Sequence, residues 1–138
     1  MFQKIVVPVD LAHTGSLTKT LGVAAELAQK YQSTVCFVSV TSTTPSSIAH
    51  SPEEFGQKLD AFAAEQAAAH GITATAHTVV DHDPSVQMDK KLEKAVEELG
   101  ADLVVMATHI PNVTDYIWSG HGAHLAAHSA ASVLLVRD

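Results

Sequence analysis

The chain has 138 residues, 46% of them apolar and 17% charged, and carries a net charge of -7 with histidine neutral. That length suits one domain with its own hydrophobic core, and the composition is globular rather than disordered. The acidic balance argues against nonspecific binding to nucleic acid or to an anionic membrane, which call for basic patches; nucleotide binding stays open, because backbone N–H groups alone can hold phosphate.

The single cysteine, Cys36, excludes an internal disulfide, and its place in Val35-Cys36-Phe37-Val38 marks it as a packing residue. Met1-Phe2-Gln3-Lys4 leads straight into an apolar run, without the h-region of a signal peptide. No stretch approaches ~18 apolar residues, so no membrane insertion is expected and the expected location is cytoplasmic.

Lys4-Ile5-Val6-Val7-Pro8-Val9-Asp10 reads as a buried parallel strand. Pro8 suits a strand terminus, and Asp10 falls just past the carboxyl end. Residues 14–32 read as a helix, with Leu17, Leu21, Ala24, Ala25, Leu27 and Ala28 on one face and Thr14 or Ser16 as the cap. A second apolar strand covers 34–40, followed by a loop over 41–51 rich in Ser and Thr. Pro52, Glu53 and Glu54 open a helix that runs to about residue 69, with Gly71 as its stop.

A third, less buried strand spans 72–80. Asp81-His82-Asp83-Pro84 is a turn, with Asp83 or Ser85 capping a helix over 85–99 that Gly100 ends. Val86, Leu92, Val96 and Leu99 of that helix point inward. A fourth strand covers 102–107, a loop containing Pro111 covers 108–120, a short helix covers 121–131 and a last strand 132–136. Strands alternating with helices give an α/β fold. It is a single domain over 1–138, with a five-stranded, parallel, open twisted sheet, helices on both faces and right-handed crossovers.

Such sheets bind ligands beyond the carboxyl ends of their strands, where the strand order reverses. Three segments reach that edge: Pro8-Val9-Asp10, Val40-Thr41 and residues 107–122. The third ends in Ser119-Gly120-His121-Gly122-Ala123, small residues opening a helix, which suit an anion and equally suit a plain turn.

Ile5-Val6-Val7-Pro8-Val9-Asp10, Glu98-Leu99-Gly100-Ala101-Asp102-Leu103-Val104-Val105-Met106 and residues 128–137 resemble the universal stress protein family, over essentially the whole chain. The resemblance implies a Rossmann-like fold of the adenine nucleotide alpha hydrolase kind. It also implies a stress-response regulatory role and binding of ATP, ADP or AMP, with or without Mg²⁺. It implies a homodimer paired through the last strand, Ser132-Val133-Leu134-Leu135-Val136. Nucleotide-binding members carry, after the fourth strand, Gly, two residues, Gly, nine residues, Gly, then Ser or Thr. Here Ala107 and Ile110 stand at the first two glycines. The third falls on Gly120 before His121 counting forward; counting back, the pair falls on Ser119-Gly120. This slightly short loop with Pro111 resembles the universal stress protein F branch, some of whose members bind adenine nucleotide without the full glycine set.

By that resemblance Val9 and Asp10, next to Pro8, face adenine and ribose, and the Val40 backbone meets the adenine edge. Met106, Ala107, His109 and Ile110 line the ribose and phosphate side. Gly120, His121, Gly122 and Ala123, next to Ser119, present N–H groups to phosphate. A β-branched Ile110 resists the positive φ a glycine there would allow.

The residues leave alternatives. Asp10 also reads as a cap for the turn into the first helix, and His109 as a loop residue packing on the short helix. His121, His124 and His128 recur at helical spacing; they are read as a solvated or dimer-facing stripe, with zinc or nickel binding as the rival. Tyr116, Ile117 and Trp118 form an aromatic cluster that covers the pocket, meets a partner or packs in the core.

No hydrolase elbow, metalloprotease motif, cysteine pair or Walker lysine occurs, and no Lys or Arg lies between Lys94 and Arg137. No catalytic or metal-ligating residue is therefore assigned, and slow ATP hydrolysis ranks last. The rival to nucleotide binding is a nucleotide-free dimeric signalling protein that keeps the fold for an unidentified protein partner. A receiver domain fails, because no acidic pair follows the first strand.

Overall fold

The computed structural model describes residues 1–82, 88–110, 113 and 116–137. The apolar runs form the strands: β1 (Lys4–Pro8), β2 (Thr34–Ser42), β3 (Thr73–Asp81), β4 (Leu103–His109) and β5 (Ser132–Arg137). All pairings are parallel, in the order β3-β2-β1-β4-β5. Ile5, Val6, Val35, Val38, Val104 and Val105 have no exposed surface, as befits strands covered on both faces.

Among the described residues the α-helices are α1 (Thr18–Tyr31), α2 (Pro52–His70), α3 (Met88–Glu98) and α4 (Gly122–His128). The α1 helix packs against β1 and β4, α2 against β2 and β3, and α3 against α4. With right-handed crossovers, α1 and α2 cover one face of the sheet and α3 and α4 the other. Ser51 caps α2 by accepting the Glu54 N–H at 3.1 Å, and Gly71 ends it with φ +62°. No helix among the described residues is long and apolar enough to cross a membrane.

The structure corrects two helices. The helix expected from residue 14 begins only at Thr18, and a 3₁₀ segment (Leu11–Leu17), kinked at His13, precedes it. Thr14, Gly15 and Ser16 are poor helix formers. The cap is Asp10, not Thr14 or Ser16; its Oδ1 accepts the Ala12 N–H at 3.0 Å and turns the chain at once. At the other end, α4 stops at His128 rather than near 131. Ser129 adopts extended backbone and its Oγ accepts the Ala131 N–H at 3.1 Å, so the hydroxyl competes with the helix. The expected caps Asp83 and Ser85 lie outside the described residues, as do Pro84, Val86, Pro111 and Asp115.

Cys36 is buried in β2, as expected. Burial pushes its thiol up, which disfavours the reactive thiolate.

Candidate functional site

The chain runs from β1 outward through β2 to β3, then crosses to β4 on the other side of β1. The order therefore reverses between β1 and β4. Their pairing covers Ile5↔Leu103 and Val6↔Val104, short of their carboxyl ends. A cavity of about 600 Å³ opens at this carboxyl edge. Its size lies within the range of small-molecule pockets, about 300–1,000 Å³.

Asp10 forms part of its floor and is 5% exposed. Both carboxylate oxygens are engaged: Oδ1 by the Ala12 N–H, and Oδ2 by the Ile117 N–H at 3.1 Å. One side chain thus ties the loop after β1 to the loop after β4. Ser39 and Val40 from β2 form the adjoining wall. The segment after β2 folds over it: the Ser46 Oγ accepts the N–H groups of Ile48 and Ala49, while Lys58 Nζ donates to the Ile48 carbonyl. Phe55 of α2 and Met88 of α3 add apolar surface. Among the described residues, no Lys or Arg lines the cavity.

Trp118 is no cover. It is fully buried, and its Nε1 donates to the Val9 carbonyl at 2.9 Å. Tyr116 is 4% exposed and lines the cavity; burial first, then the charge of Asp10, push its hydroxyl well above the usual tyrosine range. Two residues of the histidine stripe face α3 instead of solvent, while His128 is exposed. His121 Nδ1 donates to Asp89 of α3, and His124 Nε2 lies 3.4 Å from Glu93 Oε2. The ring centroids of His124 and His128 lie 4.3 Å apart, with the planes tilted by 37°. Asp89 and Glu93 are four apart on α3 and so share the face that meets α4. No group of three His, Cys, Asp or Glu among the described residues is arranged to hold a metal ion.

Of the predicted site residues, the cavity brings together Asp10, Val40, Ser119 and His121. Pro8 ends β1 inside the sheet, and Val9 is a core side chain whose N–H donates to Val38 and whose carbonyl also accepts the Ser39 hydroxyl at 2.8 Å. Met106 and Ala107 are buried in β4, which His109 ends. Ile110 is 6% exposed with ordinary backbone; Gln32 is the only non-glycine residue with positive φ among those described. Gly120 takes φ +79°, but Gly122 serves packing instead: a Cβ there would meet Leu135 Cδ2 at 2.6 Å and Met106 Sδ at 3.6 Å. Ala123 follows it in α4 and does not line the cavity. The sequence reading missed Ile48, Phe55 and Met88 as walls. The Ser- and Thr-rich stretch at the end of β2 was the signal for the first of these.

The molecule is a doubly wound α/β domain of the Rossmann type with a ligand-sized cavity at its switch point. A sequence profile of the universal stress protein family matches residues 1–137, and the chain belongs to that family. Solved structures share its fold. One is a universal stress protein family protein from Burkholderia pseudomallei, 21% identical over 97% of this chain and 95% of that one, with a TM-score of 0.69. Another is the universal stress protein from Archaeoglobus fulgidus in complex with dAMP, 16% identical over 96% of each chain, TM-score 0.67. A third is a family protein from Arabidopsis thaliana with AMP bound, 14% identical over 98% of this chain and 91% of that one, TM-score 0.63.

Proposed function

We propose that this protein binds an adenine nucleotide in the cavity at the carboxyl edge of its sheet and acts as a regulatory protein rather than an enzyme. The observation that carries this reading is the cavity itself, of about 600 Å³, walled by Asp10, Val40 and the loop after β4. The dAMP and AMP complexes of its structural relatives support it. The test is mass spectrometry of small molecules released on denaturing the purified protein, followed by calorimetric titration with adenine nucleotides. Release of a nucleotide, or binding at micromolar concentration, is the expected result.

The rival reading, a nucleotide-free interaction protein, draws on the same loop. The Ser119 N–H donates to the Tyr116 carbonyl and the His121 N–H to the Trp118 carbonyl, so two amides of the expected phosphate loop close internal turns. No binding up to millimolar nucleotide selects this rival.

The dimer is part of the proposal. β5 lies at one edge of the sheet, with Leu134 39% and Leu135 36% exposed. An apolar edge strand needs a cover, and a second copy in two-fold pairing supplies one. Wild-type protein should sediment as a dimer and Leu134→Lys as a monomer. A wild-type monomer at tens of micromolar ends this part of the proposal.

A further inference from the structure

His121 stands in the cavity wall, and its ring is held from one side. Nδ1 bonds to Asp89 of α3. A carboxylate only accepts, so Nδ1 carries the hydrogen and the neutral ring keeps its lone pair on Nε2. Nε2 has no partner among the described residues, and it is not one of their buried polar atoms. With the side chain 25% exposed, that lone pair stays within reach of small molecules.

The neighbouring histidines lack this combination. His124 also meets a carboxylate, Glu93, but its Nε2 is buried. His128 is exposed, and among the described residues its ring meets only that of His124. An imidazole with one nitrogen on a carboxylate and the other open is placed to act as a nucleophile. The carboxylate fixes the ring and its tautomer, and it stabilises the positive charge the ring acquires when Nε2 forms a bond. Acyl groups leave imidazole readily in water, whereas a phosphoryl group on its nitrogen persists at neutral pH.

We propose that His121 Nε2 is a phosphoryl-acceptor site, modified by an activated phosphate of the acyl phosphate class, and that Asp89 is the positioning residue for the transfer. The Nε2 lone pair forms the N–P bond. The P–O bond to the acyl group breaks, and its electron pair leaves with the carboxylate. No proton moves, because Nε2 carries none; the Nδ1 hydrogen stays on Asp89, whose charge faces the imidazolium formed. The modification adds negative charge to the cavity wall. This site goes beyond the nucleotide-binding reading and does not depend on it.

The test is treatment of the purified protein with acetyl phosphate at neutral pH, followed by intact mass and peptide mapping. The chain has nine histidines. A phosphoryl group, lost in acid and kept in alkali, should appear on His121 before any other, and His121→Gln should abolish this first addition. Asp89→Asn keeps an oxygen that accepts from Nδ1 but loses the charge, and should slow the transfer about 10-fold. His128 is the reference within the same chain, because it is the more exposed ring and has no carboxylate on it among the described residues. Modification of His128 ahead of His121 means that exposure alone governs and overturns the proposal. So does transfer to Asp89→Asn at the wild-type rate, or no phosphoryl gain at any histidine. The competition between His121 and His128 takes place in wild-type protein, so it decides the outcome even where a variant misfolds.

Discussion

Replacing Asp10 by Ala should lower stability by about 2–4 kcal/mol and abolish ligand binding. The magnitude follows from two charge-assisted bonds to backbone N–H groups, each worth about 1.5–3 kcal/mol in a buried setting, less the relaxation available to surface segments. Asp10 is 5% exposed, so water does not replace it. The Ala12 N–H loses its cap, and the Ile117 N–H loses the anchor that holds the loop after β4 against β1. Both cavity walls then loosen together.

Asp10→Asn separates the two roles. Its single carbonyl oxygen can still cap Ala12, but its NH₂ group then faces the Ile117 N–H, donor against donor. Asn should recover about half the stability lost in Ala, yet bind ligand no better. Urea unfolding and AMP titration of the pair check this. An Ala variant within ~0.5 kcal/mol of wild type would show that the bracket carries no weight.

The same bracket shows where sequence reading ends. Asp10 is legible as a cap, because an acidic residue at a strand end before a polar turn has few other local uses. Its second bond reaches Ile117, 107 positions away, and no local pattern announces that. The strands were legible for a related reason: runs such as Ile5-Val6-Val7 fit only a doubly covered sheet. Gly71 and Gly100 mark helix ends because positive φ there favours glycine. The helical spacing of His121, His124 and His128 is legible, but Asp89 and Glu93, which engage the first two, belong to another helix, so only the packing of α3 on α4 separates them from the exposed His128. Ile48, Phe55 and Met88 are ordinary packing residues in sequence, and they become cavity walls only through the crossover geometry. Gly122 stood in a motif suited to phosphate, yet its missing Cβ makes room for Leu135. Small residues read the same whether a ligand or a neighbouring strand approaches.

Trp118→Ala should cost about 3–5 kcal/mol, and Trp118→Phe only about 1 kcal/mol. The indole is fully buried and joins the loop after β4 to the end of β1 through the Val9 carbonyl. Alanine removes the largest side chain in the core and leaves a void beneath the cavity wall. Phenylalanine fills most of that volume and forfeits the Nε1 bond. The Val9 carbonyl is not orphaned by the change, because the Ser39 hydroxyl still donates to it at 2.8 Å. The loss in Phe is therefore that of one hydrogen bond, without the larger penalty of an unsatisfied buried acceptor. Unfolding followed by far-ultraviolet circular dichroism compares the variants without a tryptophan signal. Equal losses in Ala and Phe would mean that the hydrogen bond, not the packing, holds the loop. Losses in the predicted ratio, with AMP affinity kept in Phe and lost in Ala, would mean that the volume of Trp118 holds Tyr116 and Ile117 in register with Asp10.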